Sequence, residues 1–151
     1  MNQITKADQV RGKKEKAKKK KPRDNVWGIL NKAWKIQSKG IRSHGRCVAC
    51  GSTKSIIAGH IVHGGRGKAW NMVDFNAMLP FDNVFPQCSF DNTYNPDGNG
   101  LLKRYFDSIH GILSQHDYDL LKSIKQTVWK CDELTAREVL AETIKRYGKS
   151  E

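Results

Sequence analysis

Two short pairs of metal-ligand residues constrain this chain more than any other feature of its sequence. Cys47 and Cys50 are three positions apart, and Cys88 and Asp91 repeat that offset further along the chain. Zinc accepts both thiolate sulfur and carboxylate oxygen in a tetrahedral site. The spacing therefore predicts a structural zinc ion with these four ligands, Cys131 being the alternative to Asp91. The opposing interpretation is that the cysteines are small buried apolar residues without a metal.

The segment that carries the two pairs, residues 46–98, needs such a cross-link. It is rich in Gly, Asn and His and lacks helical periodicity, which predicts loops, turns and a short hairpin. A loop-rich segment of about fifty residues buries too little apolar surface to hold itself together. We therefore expect the metal to supply much of its stability.

Amphipathic helices are predicted on both sides of this segment. Four apolar residues share one stripe of a helix predicted over residues 25–39, with Asp24 or Asn25 as its cap and Gly40 as its end. The stripe consists of Val26, Leu30, Ala33 and Trp34. Because apolar stripes of this kind usually face a core, we expect this one to pack against the metal-bearing segment.

Two or three further helices are predicted after residue 100. The first of them ends at Gly111. Ser114 begins the next, with Asp117 three positions on, and Thr135 and Glu138 form a capping box for the last. Together with the hairpin, these helices predict an α+β chain.

Positive charge is concentrated in the N-terminal residues. The whole chain has a formal net charge of +12, and residues 1–23 contain ten Lys or Arg against two Asp or Glu. Such a segment repels itself and cannot bury a face, so we predict a disordered basic arm over residues 1–23. A polyanion is its natural partner, with a merely solubilising tail as the alternative. The lysines expected to contact phosphate are Lys18, Lys19, Lys20 and Lys21.

The sequence also limits where the protein works. No apolar run approaches the roughly 18 residues that cross a bilayer, and the N-terminus lacks the apolar stretch of a signal peptide. We therefore expect a cytoplasmic protein with no membrane partner. Cysteines stay reduced in that compartment, which favours metal binding over disulfides.

Three polar residues lie among the zinc ligands in an order that points to phosphodiester hydrolysis. His60 lies in an apolar, strand-like stretch, and a neutral imidazole can take a proton from water near pH 7. Asn83 lies before Cys88, and Asn92 directly follows Asp91. An Asn carbonyl is an acceptable ligand for a hard cation. Singly, each residue is more often structural. Their order around the zinc ligands favours a nuclease that uses a divalent cation.

Several short motifs around these residues occur together in a known family. They are Cys47-x-x-Cys50-Gly51, Ala58-Gly59-His60, Asp82-Asn83-Val84, Gln87-Cys88, Asn92 and Gly98-Asn99. In this combination the chain resembles the HNH nucleases, and within them the phage NinG/Rap recombination nucleases. The similarity covers roughly residues 25–147, and its specific motifs are confined to residues 47–99.

The resemblance implies a fold and an activity. The fold would be one domain over residues 24–151, with a zinc-bound ββα-metal core at 46–99, one helix before it and two or three helices over 100–148. His60 would be the general base, Asn83 would orient its imidazole, and Asn92 would help to hold Mg²⁺ or another divalent cation. The substrates would be branched DNAs such as Holliday junctions and D-loops, cut by a phage-encoded protein in the bacterial cytoplasm. A homodimer is expected from the symmetry of a junction.

The chain also departs from the family pattern. Gly59 stands where many HNH enzymes have an Asp or His metal ligand, and Ile57 stands where NinG/Rap relatives often have His. His63 and Asp82 are the candidates for the missing ligand. These departures support an alternative, a non-catalytic zinc-stabilised DNA-binding accessory protein. A third possibility is an HNH enzyme of the homing or restriction type.

The glycine-rich segment after His60 is a candidate DNA contact. Residues 63–70 include Arg66 and Lys68 together with three glycines. Glycines let a backbone approach a phosphate closely, and the two cations can offset its charge. We predict a DNA-contacting loop, the alternative being an ordinary flexible connection.

Overall fold

The computed structural model describes residues 22–64, 70–94 and 113–148. These residues form four α-helices and one two-stranded antiparallel sheet, which confirms the predicted α+β class. The elements are α1 (Pro22–Arg42), β1 (Ile56–His60), the short 3₁₀ helices η1 (Met72–Asp74) and η2 (Asn76–Met78), β2 (Val84–Cys88), α2 (Ser89–Tyr94), α3 (Gln115–Gln126) and α4 (Glu133–Tyr147). The predicted basic arm up to residue 21, the loop residues Arg66 and Lys68, and the helix predicted to end at Gly111 lie outside the described residues.

Helix α1 is longer than predicted at both ends. It begins at Pro22, a residue suited to a first helical turn, and therefore includes the last two residues assigned to the arm. Gly40 does not end it: a Cβ at Gly40 would lie 2.9 Å from the Cβ of Tyr147, so this glycine lets α1 and α4 approach closely. The left-handed residue that follows the helix is Gly45, with φ of 68°.

Strands β1 and β2 form the hairpin around which the site is built. Ile56 pairs with Cys88, and His60 pairs with Val84. Helix α2 follows β2 without a break, so the local order is strand, strand, helix. This hairpin therefore carries a predicted zinc ligand at one end and the predicted base at the other.

Two apolar clusters surround the hairpin. One joins α1 and α4 to the connection between the strands and consists of Leu30, Ala33, Phe75, Ala136 and Val139. The other lies under α3 and consists of Ile61, Val62, Val73, Leu113, Tyr118 and Leu121. The predicted stripe of α1 faces the first cluster, with Leu30 and Ala33 buried and Val26 and Trp34 partly buried, so its assignment to the core is confirmed.

Of the caps predicted for the last two helices, the one at Ser114 is confirmed and the one at Thr135 is wrong. Ser114 caps α3, and its capping box with Asp117 is confirmed. Helix α4 begins at Glu133, earlier than predicted, because the Asp132 side chain accepts a hydrogen bond from the Thr135 backbone. Thr135 is therefore a residue of the first turn and not the cap. None of the helices within the described ranges combines the length and apolar character that crossing a bilayer requires.

Candidate metal centre and active site

The predicted zinc ligands come together. One potential ligand atom from each of Cys47, Cys50, Cys88 and Asp91 lies within 4.8 Å of all the others. Cys50 Sγ and Cys88 Sγ are 3.7 Å apart, close to the roughly 3.8 Å edge of a tetrahedron with zinc–sulfur bonds of about 2.3 Å. Asp91 Oδ2 lies 3.1 Å from Cys47 Sγ and 3.3 Å from Cys88 Sγ. The donors are therefore compatible with a structural metal ion such as zinc.

Local backbone geometry explains why these four side chains converge. The Gly51 backbone donates to the Cys47 carbonyl at 2.9 Å, and Gly51 has φ of 75°, a conformation that glycine adopts without strain. The resulting tight turn places Cys47 and Cys50 side by side. Cys88 ends β2 and Asp91 lies in the first turn of α2, where its backbone nitrogen donates to Cys88 Sγ at 3.4 Å.

The electrostatics of the centre favour a cation. The Asp91 carboxylate, with burial and the neighbouring thiols, raises the pKa of Cys50 to about 12. Burial is the main cause that raises the pKa of Cys88. Without a metal, these two thiols therefore keep their protons, because thiolates would be crowded against a carboxylate. A divalent cation reverses that preference.

Cys131, the alternative fourth ligand, does not belong to this centre. It is half-buried beside the cluster formed by α1 and α4, and its Sγ lies 3.6 Å from the Asp132 carbonyl. Asp91 takes the fourth position among the described residues.

His60 is held between an aromatic ring and a buried carboxylate. The Trp34 ring from α1 stacks on the imidazole with centroids 5.0 Å apart and planes 11° apart. His60 Nε2 lies 2.9 Å from Asp74 Oδ1, within ion-pair distance although outside hydrogen-bond geometry. The His60 side chain keeps 17 % of its surface exposed. The ring is thus fixed in position and still reachable from solvent.

Asp74 is the functional candidate that the sequence reasoning missed. It is only 1 % exposed, and its Oδ2 accepts a hydrogen bond from the Asn71 backbone at 2.7 Å. The Asn71 side chain in turn accepts from Val73, which completes a capping box around η1. A side chain at Gly64 would overlap the Asp74 carboxylate. The Asn71-x-x-Asp74 spacing was visible in the sequence as a capping box, but nothing local indicated that it faces His60.

Asn83, which was predicted to orient the imidazole, has side-chain hydrogen bonds to backbone atoms in the part of the chain that the structure describes. Its side chain is fully buried and binds backbone: Nδ2 donates to the carbonyls of Val62 and Val73 at 2.9 and 2.7 Å, and Oδ1 accepts from the Val62 nitrogen at 2.8 Å. Val62 follows His60 in the chain and Val73 precedes Asp74. Asn83 therefore joins the two backbone segments that carry the His60–Asp74 pair.

The two candidates for the missing cation ligand, Asp82 and His63, have different surroundings. Both carboxylate oxygens of Asp82 accept hydrogen bonds from Arg146 Nη2, at 2.6 and 2.7 Å, so this candidate is engaged in an ion pair. The His63 ring, in contrast, lies 6.1 Å from the His60 ring between centroids and is half-buried. His63 remains a neighbour of the predicted base.

Asn92 lies beside the residue that precedes His60. A Cβ at Gly59 would be 2.5 Å from Asn92 Oδ1 and 2.5 Å from Gln87 Oε1. Gly59 thus supplies the space in which these two amides approach the strand. Its lack of a side chain, which looked like a missing ligand in the sequence, has a steric reason.

A scan against protein-family models and searches of curated proteins and of solved structures found no match. The function must therefore be argued from the geometry around His60 and the metal centre.

Proposed function

We propose that this protein is a divalent-metal-dependent DNA endonuclease in which His60 is the general base. The observation that carries the proposal is the His60–Asp74 pair, positioned at one end of a hairpin whose other end enters a Cys/Asp metal centre. The strand–strand–helix order and the motif resemblance support an enzyme of the HNH type. The finer assignment to NinG/Rap recombination nucleases rests on that resemblance.

In this role His60 takes a proton from the attacking water. Since Nε2 faces Asp74 Oδ1 at 2.9 Å, Nδ1 is the nitrogen left to accept that proton. The Asp74 carboxylate offsets the positive charge that the ring acquires, and stacking on Trp34 limits its rotation. Asn83 positions this pair through the backbone.

The donors suit two different ions. Three sulfurs and one carboxylate suit a structural zinc ion, which joins the turn at Cys47 to the junction of β2 and α2. The amide oxygen of Asn92 suits a hard cation such as Mg²⁺. When bound, that cation would offset charge on the phosphoryl oxygens and stabilise the leaving oxygen.

DNA is the substrate that the charge distribution favours. The chain carries a net charge of +12, and the sequence of its first 23 residues is dominated by Lys and Arg. The motif resemblance narrows this to branched recombination DNA, such as Holliday junctions or D-loops, cut by a dimer in the cytoplasm of a phage-infected bacterium.

The decisive experiment incubates the zinc-loaded protein with four-way, D-loop and linear DNA, with and without Mg²⁺. We expect Mg²⁺-dependent cleavage that His60→Ala abolishes and that His116→Ala, a change of an exposed histidine on α3, leaves intact. Cleavage that survives in His60→Ala would refute the assigned base. Binding without cleavage in any divalent ion would identify the alternative, a non-catalytic DNA-binding accessory protein.

A further inference from the structure

Gln87 is a buried polar side chain whose amide atoms have no hydrogen-bond partner among the residues that the structure describes. It is the residue before Cys88, near the end of β2, and is 0 % exposed. Buried amides without partners are rare, since burial removes their bonds to water without replacing them. In native folds such a group binds an ordered water or an ion.

The register of the hairpin explains where the amide points. Gln87 pairs with Ile57, so its side chain lies on the same face of the sheet as Ile57 and Gly59. Gly59 is the diagonal neighbour, and its missing side chain leaves space for the amide to lie over it. Helix α2 brings the Asn92 amide to the same position over Gly59.

The two amide oxygens are close enough to share a ligand. Gln87 Oε1 and Asn92 Oδ1 each lie 2.5 Å from the position of a Cβ at Gly59, so they are at most about 5 Å apart, which two ligands of one cation can span. Both are neutral oxygen donors, which suit hard divalent cations and not thiophilic ones. Both oxygens lie against Gly59, the residue before His60.

We propose that Gln87 Oε1 and Asn92 Oδ1 together bind a divalent cation at Gly59, the residue before His60, and that the missing side chain of Gly59 leaves room for both oxygens to reach it. The inference rests on the proposed function and adds Gln87 as a cation ligand. Because both donors are uncharged, the site binds weakly by itself and depends on a phosphate of the substrate for the remaining charge.

The test measures Mn²⁺ binding to the zinc-loaded protein without DNA, by the loss of the free Mn²⁺ signal in electron paramagnetic resonance. Gln87→Met removes the oxygen and keeps an unbranched, apolar chain of similar length. We expect it to weaken Mn²⁺ binding at least about tenfold while the unfolding temperature without Mn²⁺ does not fall, since an unpartnered amide has been removed. Gln87→Glu should bind Mn²⁺ more tightly and should unfold at a lower temperature without it.

Gly59 offers a steric test with a matched control. Gly59→Ala places a methyl group against both oxygens and should weaken Mn²⁺ binding, whereas Gly28→Ala on α1, where a Cβ meets nothing within 4 Å, should leave it unchanged. Parent-like Mn²⁺ affinity in Gln87→Met, or in Gln87→Glu should the first variant not fold, would overturn the proposal.

The two proposals fail in different ways. A parent protein whose Mn²⁺ binding depends on Gln87 but that cuts no DNA would support the cation site and overturn the endonuclease function. A parent that cuts DNA while Gln87→Met keeps the parent affinity would overturn the cation site and leave the endonuclease function standing. His60→Ala should keep its Mn²⁺ affinity in either case.

Discussion

His60 Nε2 lies 2.9 Å from Asp74 Oδ1, although the two residues belong to different elements and are 14 positions apart in the chain. The strand β1 presents the imidazole, and η1 presents the carboxylate from a buried position. The Asn83 side chain binds the backbone of Val62, two positions after His60, and of Val73, the residue before Asp74. A pair held from three sides in this way is suited to moving a proton without rearrangement.

Asp74→Asn should lower the cleavage rate without disturbing the fold. The Asn oxygen can still accept the hydrogen bond from the Asn71 backbone, but it cannot offset the charge of a protonated imidazole. We expect kcat to fall by about 100-fold with KM nearly unchanged, as for loss of general-base assistance. Steady-state kinetics on a cleaved DNA measures this. A KM increase at constant kcat would show that Asp74 acts on substrate binding.

Asn83→Ala should unfold the protein far more easily than Asn92→Ala. Truncation at 83 leaves the nitrogen and carbonyl of Val62 and the carbonyl of Val73 without their buried partner. We expect the free energy of unfolding to fall by about 3 kcal/mol or more. Urea unfolding of both variants measures the difference. A stable but inactive Asn83→Ala protein would show that the Asn83 side chain acts in catalysis and is not needed for the fold.

Asp91, and not Cys131, should determine zinc content. Asp91→Ala removes a donor that lies within 3.3 Å of two sulfurs, while Cys131→Ala changes a thiol outside the centre. Loss of outer partners already costs about 10–100-fold in metal affinity, so loss of a direct ligand should cost at least as much. Competition with a chromophoric chelator measures the affinity. The opposite ranking of the two variants would assign the fourth position to Cys131.

Zinc uptake at pH 8 should release at least two protons per ion. The pKa of Cys50 is raised to about 12 and that of Cys88 is raised as well, so both thiols are protonated in the metal-free protein at this pH. Zinc binds thiolates, and the protons must therefore leave. Calorimetry in buffers of different ionisation enthalpy counts them. Release of fewer than two would mean that these thiols are already ionised.

The raised pKa of Cys50 also predicts how the stability of the metal-free protein changes with pH. The folded state keeps protons on Cys50 that the unfolded state loses above a pKa of 9.0. The raised pKa of Cys50 therefore stabilises the folded state fully below about pH 9, and this stabilisation is lost as the pH rises toward 12. Urea unfolding of the metal-free protein across this range should show a falling midpoint.

Several features were predictable because they depend on neighbours in the chain. The Cys47–Cys50 turn, the capping box at Ser114 and the apolar stripe of α1 all arise from residues three or four positions apart. Local spacing constrains such geometry before any tertiary contact forms. Joining Cys88 and Asp91 to the first pair also followed, because a metal ion requires a second pair of donors.

Other features depended on contacts that local spacing does not encode. Arg146, which lies 64 positions further along the chain, binds both carboxylate oxygens of Asp82. Tyr147 packs on Gly40, so that this glycine continues a helix that it was expected to end. In both cases a long-range contact outweighed a local preference.

By itself the sequence determined the α+β class, three cysteine donors with Asp91 or Cys131 as the fourth ligand, and His60 as the residue of interest. Only the tertiary structure decided that Asp74 faces His60, that Asn83 binds backbone, and that Gly59 makes room for Gln87 and Asn92. The physical reason is the sequence distance over which each feature is set, because donor spacing and periodicity depend only on residues close together in the chain. The partner of a buried polar group is chosen by how distant segments pack.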